Sequence, residues 1–417
     1  MGSATDVIVI GAGAAGLAAA QALGQTGLQI VVLEADSHIG GRAYTEIMPD
    51  GSAFDLGCHW MHSASLNPFV QTAEVLGARY ERRDGYGRCG YFRDGGWLDD
   101  REIAIGQQAM KHREVAMAKA WEQGRDQSVM ETVERESPWT EVLDFHASLG
   151  TSSDVDQISI GDIVSYNDTA ENWPVVDGYG TLVARWAADV PVQLNTAATA
   201  IRWGNSGVSV ETRRGTLHAK CAVIAVSTGV LGSGDIRFFP ELPAKKGQAI
   251  EALPLGNYNR IRLTVDRHLF ADDVPERVVV EPSDNPPMQL SVRPYGFDCV
   301  IGIVAGRYAD WLERAGPDAG REAVTSALCE IFGAKLRNQI RSDRQSAWRG
   351  NAFVRGAYST SAPGQFHQRA VLSQAIQDKL FFCGEATSTD HFCTCHGARM
   401  TGERVALEIQ SAIGTKG

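Results

Sequence analysis

Residues 6–34 constrain this chain more than any other stretch. Asp6 to Ile10 (DVIVI) is a short β-branched run, the pattern of a strand buried on both faces. Gly11 to Gly16 (GAGAAG) follows at once, then an Ala- and Leu-rich helix to about Leu23, closed by Gly24 and Gly27. Leu28 to Leu33 (LQIVVL) is a second buried strand, and Glu34 stands at its end. A complete β-α-β unit therefore opens the chain, with its glycines between the first strand and the helix.

Each part of that turn has a physical job. Gly11 allows the tight turn, Gly13 lets backbone approach a pyrophosphate, and Gly16 lets helix and strand pack closely. The helix N-terminus offers free N–H groups and a positive dipole end to phosphates. Glu34, 18 residues beyond Gly16, can accept from ribose hydroxyls, and its charge disfavours a 2′-phosphate. The stretch after Glu34 contains Ala35, Asp36 and then Gly40-Gly41-Arg42. A second glycine pair followed by a cation gives another close contact with a pyrophosphate and argues for FAD rather than NAD.

Later segments alternate in character. Residues 101–150 are charged and helical in period, with Met and Trp on the apolar side. Thr199 to Arg213 reads as two alternating strands, and Cys221 to Val226 as a buried one. Asn259 to Val265 is another strand, with a helix near Arg321–Phe332. Leu380 to Cys383 is a last buried strand, and a helix starts at about Cys395. The nucleotide-binding pieces thus fall at the start, middle and end. The expected fold is α/β plus α+β: a Rossmann-like (GR2-type) FAD domain from 1–80, 178–240 and 346–417, and an inserted mixed sheet-and-helix substrate domain from 81–177 and 241–345.

Charge and composition close off other classes. Fifty acidic residues against 39 basic ones give a net charge of −11, so a nucleic-acid partner is not expected. A hydrophobic content of 44% with 21% charged residues excludes a disordered chain. The eight cysteines show no disulfide framework and no secretory leader is read before them, which points to the cytoplasm. The apolar stretch Val7 to Leu23 is broken by glycines, so no membrane association is expected.

Further motifs bear a resemblance to the flavin-containing amine oxidase family, which spans monoamine oxidases, polyamine oxidases, L-amino-acid oxidases and flavin-dependent lysine demethylases. Asp55-Leu56-Gly57-Cys58-His59-Trp60, with Asn67-Pro68, resembles the D-L-G-x-x-W segment. Val175 to Tyr179, then Leu182-Val183, resembles G-G-Y…L-V. Val226 to Leu231, with Ile236, Phe238, Pro240, Leu242-Pro243 and Lys246, resembles the T-x-P-x-G-V-L…L-P-x-x-K run. Trp348…Arg355-Gly356-Ala357-Tyr358-Ser359 resembles W…R-G-S-Y-S. Phe382 to Ser388, then Thr394 to Ala398 and Gly402 to Arg404, resembles F-A-G-E-x-T-S…T-V-H-G-A…G-x-R.

The resemblance implies roles. Ala15, Glu34, Asp36, Arg42, His59 and Trp60 would contact FAD, with Gly41 and Gly57 beside them. Ala198 would stack near the adenosine half, and Glu385, next to Gly384, would bind the ribityl or pyrophosphate region. Thr394 and Cys395 would offer backbone N–H groups to the isoalloxazine. Tyr358 would form one wall of an amine cage, with Trp348 ten residues earlier and Thr394 in place of the second aromatic wall. The implied reaction is oxidation of a small amine to an imine by hydride transfer to flavin N5, followed by hydrolysis. The flavin is then reoxidised by O2, giving H2O2, or by another acceptor. A flavin desaturase or protoporphyrinogen-type oxidase, or a flavin-binding protein with an inactive site, is the alternative.

Two departures matter. Arg260 occupies the position where the family usually has a lysine bridged through water to flavin N5. Arginine stays charged and cannot act as a base. It can still hold a water or an oxygen-derived anion, or it is a partly buried arginine paired with a carboxylate. Ala357 occupies the position of the cysteine that links flavin covalently in some members, so FAD is expected to be non-covalent. Cys393, Cys395, His391 and His396 lie at the flavin-helix turn without a second cysteine pair, and no metal is expected. The oligomeric state stays open, a homodimer being one option.

Overall fold

Four apolar side chains in Val7–Ile10 demand a neighbour on each edge and cover on each face. The computed structural model, which describes residues 5–83 and 87–414, meets both demands. Among these residues Val7–Ile10 is the middle strand of a five-stranded parallel sheet. The order is Leu380–Phe382, Cys221–Ile224, Val7–Ile10, Ile30–Leu33 and Val192–Gln193. Val7 stands opposite both Cys221 and Ile30, so strands distant in sequence meet in register. The second strand begins at Ile30 rather than Leu28. Asp6 N–H and Val7 N–H both donate to the Gln29 carbonyl, at 2.8 and 3.2 Å, and the ladder starts only beyond it.

Helices Ala14–Gly24 and Cys395–Ile413 pack together with little room to spare. A Cβ on Gly402 would lie 2.0 Å from the Ala15 carbonyl oxygen, so only glycine fits there. The start and the end of the chain are joined in this way over the glycine turn. A four-stranded sheet lies alongside, built from Ala198–Gly204, Gly207–Thr212, Gly215–Ala219 and Arg237–Phe239.

A seven-stranded sheet forms the other half of the molecule. Its order is Arg341–Gln345, Tyr258–Thr264, Cys299–Ala305, Met288–Val292, Arg277–Val280, Cys89–Arg93 and Gly96–Trp97. Alternation along these strands separates two faces. Ile261, Leu263, Val300, Val304, Leu290 and Val278 point to one core with Leu312 and Val324, from helices Gly306–Ala315 and Pro317–Phe332. On the opposite face Arg260 pairs with Ile303, Ile303 with Gln289, and Gln289 with Val279, a single row across four strands. Tyr258, Arg262 and Arg277 occupy the same face, two residues along their strands.

Helices Asp100–Glu122 and Thr140–Thr151 account for the helical period read over 101–150. The first starts with a capping box, Asp99 accepting from Glu102 N–H while Glu102 accepts from Asp99 N–H. No helix among the described residues is long and apolar enough to cross a membrane.

Candidate active site

A cavity of about 800 Å³ runs from the carboxyl ends of the parallel strands to the arginine-bearing face of the seven-stranded sheet. Every residue expected at the site lines it, from Gly11, Gly13 and Glu34 to Arg260, Trp348 and Tyr358, except Gly16. Gly16 is behind the turn, where a Cβ would sit 1.9 Å from the Gly11 carbonyl oxygen. Its role is therefore the packing one.

Gly13 is the opposite case. A Cβ there would meet no atom within 4 Å, although the residue forms a bridge with Gly40. Backbone is laid bare to the cavity, and no protein group fills the space in front of it. Glu34 is 8% exposed, with one carboxylate oxygen accepting from Ala12 N–H at 2.7 Å and the other from Asp36 N–H at 2.8 Å. These bonds fix its orientation and leave lone pairs towards the cavity. Glu34→Ala removes a charged acceptor worth about 1.5–3 kcal/mol. The purified variant should lose flavin on dilution while its circular dichroism stays unchanged; undiminished flavin retention would place the ribose elsewhere.

Arg42 Nη1 donates to the Ala357 carbonyl and, at 2.9 Å, to Glu385. Glu385 is more engaged than the sequence suggests. Its oxygens accept from Arg42, from Ser359 N–H and hydroxyl, at 3.1 and 2.7 Å, and from Cys393 N–H at 3.1 Å. Burial alone would raise this carboxyl, but Arg42 and then Arg369 outweigh it and hold it below its ordinary value. Glu385 thus ties three turns of the cavity wall together. Arg369 continues the chain of contacts. It donates to Ser359 Oγ at 2.8 Å and grips Asp162 through Nε and Nη2, both at 3.0 Å.

The far end of the cavity is aromatic and cationic. Tyr358 donates its hydroxyl to the Leu149 carbonyl, and its ring lies 5.8 Å from that of Tyr258. Trp348 lines the cavity but donates Nε1–H to the Leu56 carbonyl at 2.9 Å and packs with Phe54, Ile301 and Ile303. It supports the wall rather than facing Tyr358. Thr394 is a helix cap: its hydroxyl accepts from Gly397 N–H at 3.1 Å and donates to the His391 carbonyl at 2.7 Å. The helix start it caps, Thr394 and Cys395, lines the cavity, and first-turn N–H groups have no acceptors within a helix. His59 contacts Asp55 at 2.8 Å through Nδ1 and the Tyr295 hydroxyl at 3.2 Å through Nε2. Burial, with the nearby charge of Arg260, holds its imidazole below its ordinary value despite Asp55. A neutral ring with Nδ1–H towards Asp55 and Nε2 accepting from Tyr295 satisfies both contacts.

Arg260 departs from its carboxylate-paired reading. It is 3% exposed and lines the cavity, yet no carboxylate among the described residues lies within ion-pair distance and its Nε has no acceptor. Its contacts are neutral: the Tyr258 hydroxyl beside it and the face of Phe54, at 5.9 Å. The ion pair belongs to Arg262, which holds Asp50 at 2.6 Å. Tyr258, Gln289, Arg277 and His146 also line this end and were not singled out from the sequence. Burial pushes His146 down to about 4, with Arg277 adding to the effect, so it is neutral. The register of the seven-stranded sheet brings Tyr258, Gln289 and Arg277 together; only the alternation of Tyr258 with Arg260 was a local signal.

Comparison with known proteins agrees with this geometry. A flavin containing amine oxidoreductase family model matches residues 108–410, and an NAD(P)-binding Rossmann-like domain model matches residues 9–73. The chain is 29% identical over 449 residues to Protein FLOWERING LOCUS D of Arabidopsis thaliana, covering 100% of this chain and 56% of that protein. It is 28% identical over 444 residues to Lysine-specific histone demethylase 1 homolog 3 of Oryza sativa subsp. japonica, covering 97% and 54%. The chain thus spans about half the length of these two relatives. Polyamine oxidase 4 of the same rice is 27% identical over 444 residues, covering 99% of this chain and 90% of that one. Among solved structures, putrescine oxidase bound to putrescine superposes with a TM-score of 0.82 at 18% identity, covering 98% of this chain and 99% of that one. That likeness is one of fold.

Proposed function

Because this chain belongs to the flavin containing amine oxidoreductase family, we propose that it oxidises the C–N bond of a small amine to an imine, with FAD as cofactor and O2 as the final acceptor. The observation that carries this reading is the single cavity joining a bare glycine backbone to an aromatic, guanidinium-bearing pocket. FAD, when bound, would supply the two-electron acceptor, with O2 taking up the electrons as H2O2. The chain's residues supply position and environment. Gly13, Gly41 and the start of helix Ala14–Gly24 would hold the pyrophosphate, with Arg42 beside it. Glu34 would hold the adenosine ribose, and Thr394 and Cys395 would present N–H groups to the flavin ring. Tyr358 and Tyr258 would wall the amine and exclude water. Such a pocket lowers an amine's pKa and so favours the neutral form that can lose a hydride.

The deciding experiment is anaerobic titration of the flavin-loaded protein with primary, secondary and polyamine substrates, followed by bleaching of the visible flavin band. Bleaching by amines supports the proposal. Bleaching only by polyenes or tetrapyrroles, or by nothing, overturns it. We also propose non-covalent attachment and a cytoplasmic setting, supported by Ala357 at the linkage position and by eight free cysteines. Acid or heat denaturation should release all yellow colour into the supernatant as FAD. Colour pelleting with the protein would point to a covalent link.

A further inference from the structure

We propose that Arg260 is a carboxylate-binding residue, so that the amine oxidised here also carries a carboxylate; the substrate part rests on the amine-oxidation reading above. A guanidinium that is 3% exposed and has no carboxylate partner among the described residues is costly to hold, unless something outside the protein completes it. The comparison within one strand makes the point. Arg262, two residues on and on the same face, is equally buried but holds Asp50 at 2.6 Å. Arg260 instead lines the cavity, with Nε buried and unsatisfied. The Nε–H and adjacent Nη–H of an arginine form a planar fork that matches the two oxygens of a carboxylate.

The surroundings suit an anion better than a second cation. Arg277 lines the same end, and Gln289, in the same cross-strand row as Arg260, offers an amide. His146 nearby is neutral. The acids on the cavity wall are elsewhere or engaged. Glu34 and Asp36 are at the glycine turn, Asp162 is gripped by Arg369, and Glu385 by Arg42. Asp235 pairs with Arg355, and Asp168 is exposed. A diamine such as putrescine would place its second ammonium against Arg260 without a buried acid to receive it. A carboxylate there would leave the amine end of the same molecule in the cavity that Tyr258 and Tyr358 line.

Two measurements on the flavin-loaded protein test this. The first uses pairs of amines that differ only by a carboxylate: alanine and ethylamine, 4-aminobutyrate and propylamine, phenylalanine and phenethylamine. The carboxylated member of at least one pair should reduce the flavin at least about 100-fold more efficiently in anaerobic stopped flow. In Arg260→Met that ratio should collapse towards one, and Arg260→Lys should restore part of it. The second is titration with benzoate, which cannot be oxidised, read as a difference spectrum of bound flavin. Benzoate should saturate the parent and bind about 100-fold more weakly to Arg260→Met. If the uncharged member is faster in every pair, or benzoate binds parent and Arg260→Met alike, the proposal is overturned while amine oxidation stands. If no amine bleaches the flavin yet benzoate binds through Arg260, the anion site stands and the amine-oxidation reading falls.

Discussion

Gly13→Val should purify folded and colourless, whereas Gly16→Val should fail to accumulate as a stable protein. Only two residues separate these positions in one turn, and their surroundings differ in kind. Gly13 has φ −73° and ψ 177°, a conformation that valine adopts without strain. Its added side chain would meet no protein atom within 4 Å of the Cβ and would stand in the space left for the pyrophosphate. A clash of about 3 kcal/mol with a ligand in that space would weaken its binding about 100-fold. At Gly16 the Cβ would lie 1.9 Å from the Gly11 carbonyl oxygen and 3.2 Å from Ala225 Cβ. Neither is a flexible side-chain tip, so helix Ala14–Gly24 must move off the sheet, at a cost of about 3 kcal/mol or more. Flavin content and thermal unfolding of the two variants check both halves. A Gly13→Val protein that keeps its flavin would show that the cradle is misassigned.

Asp162→Ala should lose about 3–5 kcal/mol of folding stability, because it strands the Arg369 guanidinium. Both side chains are 0% exposed, and the pair is bidentate at 3.0 Å. Asp162 also accepts from the Ser361 hydroxyl at 2.8 Å, a donor that the variant leaves unsatisfied. Added salt should not change the loss, since buried charges are poorly screened. The double variant Asp162→Leu with Arg369→Met should recover a large part of the stability, because it removes both charges together. A second readout follows from the contacts of Arg369. It donates to Ser359 Oγ, which donates to Glu385, which holds Arg42. Asp162→Ala should therefore also speed flavin loss from the folded protein. Denaturant unfolding that leaves Asp162→Ala within about 1 kcal/mol of the parent would show that this buried chain contributes little beyond local packing.

The opening β-α-β unit was legible because its signals are local. Burial of both strands, the glycine turn and Glu34 all follow from the residues at 6–34, and the structure has Val7–Ile10 and Ile30–Leu33 paired in register around them. The gathering of start, middle and end into one sheet was also legible, since Cys221–Ile224 and Leu380–Phe382 are apolar on both faces and must be covered, the second even at the edge of the sheet. Side-chain roles that depend on contacts between segments were not. That Glu385 also accepts from Arg42, Ser359 and Cys393 could not be read along the chain. Thr394 lines the cavity and also caps the helix, a bond seen only once its hydroxyl is placed against the third N–H. Tyr258 is the ring beside Tyr358, from a strand a hundred residues away in the chain.

Arg260 and Arg262 mark the boundary most clearly. Strand alternation alone determines that the two share a face, because side chains two apart always do. Which of them is neutralised is decided by Asp50, more than two hundred residues earlier, whose turn reaches Arg262 and not Arg260. The period of a strand is a property of neighbouring residues and can be read along the chain. The electrostatic state of a buried charge is a property of everything packed within a few ångströms of it, and only the tertiary structure brings those groups together.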